Sequence, residues 1–110
     1  MKIGNIDFEN FDWDEGNYLH CQAHGITIEE IEGFFSQELL YFEDKRNSGS
    51  EKRWIAVGKA KDKRLMFVAY TIRKLGDERL LRPISARHIH RNSKEEKVYE
   101  EIRKKLFERE

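Results

Sequence analysis

Apolar residues recur at helical spacing near the start of the chain and again at its end, and alternate with a period of two in between. Asp14 stands before EGNYLHCQAH and Gly25 follows it, the N-cap and C′ signals of a helix over 15–24. A second helix starts at once. Thr27-Ile28-Glu29-Glu30 reads as a capping box, with Ile26 and Ile31 placed to staple the entry of the chain. Ile28, Ile31, Phe34 and Phe35 then share one face. Residues 14–36 are therefore expected to form an αα-hairpin with a very short joint.

Beyond residue 38 the period shortens. LLYFE (39–43), RWIAVGKA (53–60), RLMFVAYTIR (64–73) and RLLRPISAR (79–87) read as strands. DKRNSGSEK (44–52) is a polar loop, and Lys61-Asp62-Lys63 and KLGDE (74–78) are turns. Pro83 lacks a backbone donor, which predicts an edge position or a bulge. Ser93-Lys94-Glu95-Glu96 then reads as a second capping box, opening a helix of about four turns that carries Val98, Tyr99, Ile102 and Leu106. The expected fold is α+β: an N-terminal αα-hairpin, an antiparallel sheet of three to four strands, and a C-terminal helix. All helices are expected on one sheet face, in one domain over 1–110.

Composition adds constraint rather than identity. Only 38% of the 110 residues are hydrophobic, but seven Phe, four Tyr and two Trp are available to fill a core. The equally abundant charged residues are interspersed with apolar ones, the pattern of a folded domain with a charged surface. Cys21 is the single cysteine, which excludes an internal disulfide and fits a reducing compartment. MKIGNIDFENFDWDE has no signal-peptide h-region, and no run of 18 apolar residues exists. A soluble cytoplasmic protein with no membrane partner is expected.

The zero net charge conceals an asymmetry. Residues 1–50 hold three Lys/Arg against eleven Asp/Glu, whereas residues 53–91 hold eleven against three. Either the basic segment meets nucleic acid, or the acidic half neutralises it within the fold.

Candidate chemistry is sparse. No Gly-rich phosphate loop, Gly-x-Ser-x-Gly elbow or CxxC pair occurs. Cys21 has nothing to orient a Cys-His pair and reads as a small core residue. His20 and His24 (i, i+4) with His88 and His90 (i, i+2) could supply ligands to a zinc ion, or stand as ordinary helix-end and surface histidines. The basic strands are the stronger lead. Arg53, Lys59, Arg64, Arg73, Arg82 and Arg87 lie at or near strand ends, with Trp54 and Tyr70 among them. Guanidinium groups grip phosphate oxygens, and aromatic rings stack on splayed bases, so this set suits RNA. Such a site could also cut RNA without a metal. A 2′-hydroxyl attacks the neighbouring phosphorus, arginines stabilise the charge that develops, and a His or Tyr moves protons. Arg82, Ser85, Arg87 and His88 supply candidates within one short segment. A binding module without turnover would use the same arginines, and a zinc protein would use the histidines.

Four motifs then point to a family. Phe11-Asp12-Trp13-Asp14, His24-Gly25-Ile26-Thr27-Ile28-Glu29, Arg53-Trp54-Ile55-Ala56-Val57-Gly58 and Ile84-Ser85-Ala86-Arg87 occur in the order seen in BrnT-like toxins, which the chain resembles over about residues 8–100. The resemblance implies a type II toxin–antitoxin system and a small ribonuclease of RelE-like fold that needs no metal cofactor. It would arrest translation and be neutralised by a cognate BrnA-like antitoxin, which alone would contact operator DNA. By position, Arg53, Tyr70 and Arg73 match strand residues of the family. Arg82, Ser85 and Arg87 match its R-I-I-S-A-R segment, His24 its H-G histidine, and Tyr99 the tyrosine of its last helix. His24 could equally finish a helix, and Tyr99 could equally pack. Pro83 departs from the family pattern, as do the two extra residues before the last helix and the long loop at 44–52.

Overall fold

The computed structural model describes residues 1–107. Its frame is one six-stranded sheet in the order β1-β3-β4-β5-β6-β2. The strands are β1 (Lys2–Gly4), β2 (Asn10–Phe11), β3 (Leu39–Glu43), β4 (Arg53–Lys59), β5 (Leu65–Leu75) and β6 (Glu78–His88). The helices are α1 (Glu15–Cys21), α2 (Ile28–Phe34) and α3 (Lys94–Phe107). β3 to β6 form the expected antiparallel meander, while β1 pairs antiparallel with β3 and β2 pairs parallel with β6. The sheet is thus mixed and larger than the three to four strands expected. The two additions are only three and two residues long, too short to show a period.

The local signals act as their chemistry requires. Asp14 caps α1 by accepting from Asn17 N–H, and Asn17 Oδ1 accepts from Asp14 N–H at 2.7 Å in return. α1 stops at Cys21 instead of running to His24, and the chain reverses through residues 22–25, where Gly25 has φ +79°. Thr27 caps α2, with Ile26 and Ile31 both buried as the staple predicts. Gly76 takes φ +62° at the first central position of the β5–β6 turn, a conformation that favours glycine.

Helices cover both faces of the sheet, not one. α1, α2 and the Ile6–Phe8 segment lie on one side over Met66, Val68, Tyr70, Leu81 and Ala86. On the other side Tyr99, Ile102 and Leu106 of α3 pack on Leu40, Val57, Leu65 and Ile89. The reason lies in β5: Leu65, Met66 and Val68 are all buried, so apolar residues point both ways and each face needs cover. Val98, expected on the packed face of α3, is instead 55% exposed.

Candidate active site

The register of the sheet decides which candidates meet. On the α3 face, Arg53, Thr71 and Arg82 form one cross-strand row. Ile55, Ala69 and Ser85 form the next, and Val57, Phe67 and Arg87 the third. Between Ser85 and Pro83 the pairing skips Ile84, so β6 carries a bulge at the proline. Arg82 and Arg87 consequently share a face, about 13 Å apart by the four steps of β5 that separate their partners.

The two arginines have different surroundings. The side chain of Arg82 is only 16% exposed. Its Nη1 is buried 2.9 Å from Asp14 Oδ2 and 3.8 Å from Asp12 Oδ2, an ion pair by distance although not aligned as a hydrogen bond. The pairing with Arg82 and then the Asn17 N–H hold the Asp14 carboxyl below its ordinary range. Arg73 bonds to Glu51 at 2.9 Å and lies 3.5 Å from Asp12, which keeps the Glu51 carboxyl low as well. This end of the sheet is a neutralised network tying β2 and α1 to β6. Arg53 lies beside it, exposed.

Arg87 is 48% exposed. Its guanidinium sits 4.6 Å from the centre of the Phe67 ring and meets Glu95 of α3 through two bonds of 3.2 and 3.4 Å. Tyr99 stands edge-on to the same Phe67 ring at 5.2 Å. Burial and then Glu95 push its phenol up, against the opposing pull of Arg87. Where β6 ends, a cleft of about 280 Å³ opens, lined by His24, Arg64, Arg87, His88 and His90. Three parts of the chain supply it. His24 comes from the turn after α1, Arg64 from the β4–β5 turn, and the rest from the end of β6. Nε of Arg64 and Nε2 of His88 are both buried without a hydrogen-bond partner among the described residues. The nearest carboxylate to His88 is Asp62, at 3.9 Å.

The structure thus gathers His24, Arg64, Arg87 and His88, and adds His90, which the sequence offered only as a possible metal ligand. Ser85 lies half-buried on the strip between Arg82 and Arg87. Lys59 is engaged at 2.7 Å by Glu100 of α3. Tyr70 is corrected outright. It is 2% exposed, packs on Phe35 at 5.3 Å and offers no surface for a base, because its place on the central strand puts the ring into the core. Among the described residues no three His, Cys, Asp or Glu stand where one metal ion could be held, so the zinc alternative finds no ligand set. Cys21 is buried and its thiol is pushed up to about 11 by desolvation, which fits a core residue rather than a nucleophile.

A family model described as the ribonuclease toxin BrnT of type II toxin–antitoxin systems matches residues 13–93. The chain belongs to the BrnT family. No individual curated protein is matched. The BrnT match contains every residue of the cleft and all of β3 to β6, while α3, with Glu95 and Tyr99, lies beyond it. Membership makes this a toxin-family protein whose system includes an antitoxin partner. No helix among the described residues is long and apolar enough to cross a membrane.

Proposed function

We propose that this BrnT-family chain is an endoribonuclease that acts without a metal, with the reacting phosphate in the cleft at the end of β6. One observation carries the reading: two buried nitrogens, Arg64 Nε and His88 Nε2, lack partners and belong to residues that line the same cleft as the exposed guanidinium of Arg87. An unmet buried polar group costs about 1–3 kcal/mol, and a phosphate oxygen would accept from the Arg64 N–H, and from His88 when its Nε2 carries a proton. The attacking 2′-hydroxyl loses its proton to one imidazole, and the departing 5′-oxygen gains one from another. His24, His88 and His90 are the groups available, and such transfers typically contribute about 10²–10⁴ in rate. Arg64 and Arg87 stabilise the charge that builds on the non-bridging oxygens. Phe67 holds Arg87 in place, and Tyr99 in turn packs on Phe67. The adjoining strip from Ser85 to the exposed Arg53 would receive the flanking RNA. Arg82 and Arg73 serve mainly as struts in this reading, because each already faces carboxylates. Cleavage in the cell would inhibit translation, and the antitoxin would prevent it.

The pairing of Glu95 with Arg87 favours a second reading, a binding module whose key cation is masked. Purified protein incubated with a defined RNA in EDTA separates the two. Cleavage that Arg87→Ala reduces by about a hundredfold or more, at unchanged thermal stability, is the expected outcome. RNA that stays whole with wild-type protein, yet is retained by it, would move the assignment to the binding module.

A further inference from the structure

Some carboxylates of the acidic half are paired inside the molecule: Asp7 faces Arg79, Asp12 faces Arg73 and Asp14 faces Arg82. Glu15, Glu29 and Glu32 are different. All three are exposed, and none has a cationic partner among the described residues. Glu15 and Glu32 flank an apolar ridge. α1 turns Asn17 and Cys21 inward, leaving Tyr18 at 46% and Leu19 at 63% exposure on its outer side. Trp13 packs edge-on to Tyr18 at 6.2 Å, and its indole N–H donates to Glu32 of α2 at 3.0 Å, so the ridge bridges both helices. Glu15, Tyr18, Leu19 and Gln22 follow the i, i+3, i+4, i+7 spacing of a helix face that meets a partner. Leu75, by contrast, stands alone at the exposed end of β5, and isolated exposures of that kind are ordinary.

We infer that this ridge of Trp13, Tyr18 and Leu19, rimmed by Glu15 and Glu32, anchors a basic amphipathic segment of the antitoxin. The apolar crest requires an apolar stripe, and the rim requires Lys or Arg beside it. RNA is repelled by the rim, and a second copy of the same surface would set like charges against each other. The position also matters for inhibition. α1 ends at Cys21 and the chain passes directly to His24 of the cleft. A segment seated at Leu19 need extend only on the order of 10 Å to cover that histidine.

The test uses the full chain and the antitoxin encoded with it, both purified, with binding titrated and RNA cleavage followed in parallel. Leu19→Asp is expected to weaken antitoxin binding about tenfold or more, while the melting temperature stays within about 2 °C. Cleavage by the variant alone should equal that of the wild type, and the antitoxin should no longer suppress it at the wild-type ratio. Glu15→Gln/Glu32→Gln is expected to slow association several-fold at low salt, with the difference fading at high salt. Wild-type affinity in both variants overturns the assignment. So does a wild-type dimer that Leu19→Asp splits, which would make the ridge a self-contact. If the wild type cuts no RNA, the cleft reading fails, yet the titration still decides the ridge.

Discussion

β6 carries two arginines from one short motif and puts them to opposite uses. At the Arg82 end the side chain is sunk against the sheet, with Asp12 and Asp14 within 3.8 Å of Nη1. At the Arg87 end the guanidinium lies on the face of an aromatic ring, and among the described residues one carboxylate, Glu95 of α3, contacts it. A cation enclosed by carboxylates from its own chain is spent on holding elements together, and leaving it unpaired is costly. A cation on a ring with one surface partner keeps most of its charge for a ligand, because exposed pairs contribute little. Residue type and motif are equal at the two ends; the supply of carboxylates separates them.

Exchanging losses between the ends is the strongest way to break this contrast. Arg87→Ala should abolish most RNA cleavage and leave thermal unfolding almost unmoved. Arg82→Ala should do the reverse, lowering the melting temperature by roughly 5–10 °C, with cleavage at low temperature reduced far less. Equal losses of activity with equal stabilities would dissolve the distinction. A smaller effect comes from Glu95→Gln, which removes the carboxylate that contacts Arg87. RNA affinity should rise about two- to fivefold at low salt and converge with the wild type as salt screens the charge. The smallest is an acid-limb effect. The Asp14 carboxyl titrates lower in the folded than in the unfolded chain, so its contribution is present above the unfolded value. It fades as pH falls through the folded value. Asp14→Asn keeps the helix cap but loses this dependence, so urea unfolding of the variant should vary less with pH below about 4.

Much of this fold is legible in the residues alone, because its signals are local. Asp14, Thr27 and Ser93 mark helix starts, Lys61–Lys63 and Gly76 mark turns, and Pro83 marks the irregularity in β6. The rest depends on contacts distant in sequence. β2 is a two-residue strand whose partner lies some seventy positions away, at Leu80 and Leu81. A tyrosine on an alternating strand looks like a base-stacking platform until the helices of the hairpin are laid over it, as with Tyr70. The charge asymmetry left two outcomes open, and the structure shows neutralisation for part of the basic segment. Asp7, Asp12 and Asp14 neutralise Arg79, Arg73 and Arg82, while Arg64 and Arg87 remain beside the histidines. The cleft itself joins a helix-ending turn, a hairpin turn and a strand end, a meeting that no single stretch of sequence announces.

The bulge at Ile84 sets the phase of the strand. Arg82 and Arg87 are five positions apart, an odd offset, and in an unbroken strand an odd offset sends two side chains to opposite sides. Leu81 and Ala86 have the same offset, and both lie in the same buried cluster. The extra residue acts as a half-step in the pleat, and everything after it is inverted relative to everything before. Deleting Ile84 would bring the two arginines to an even offset of four and leave both on one face, whereas straightening the strand with every residue retained would turn Arg87 toward the core and bring Ala86 out in its place.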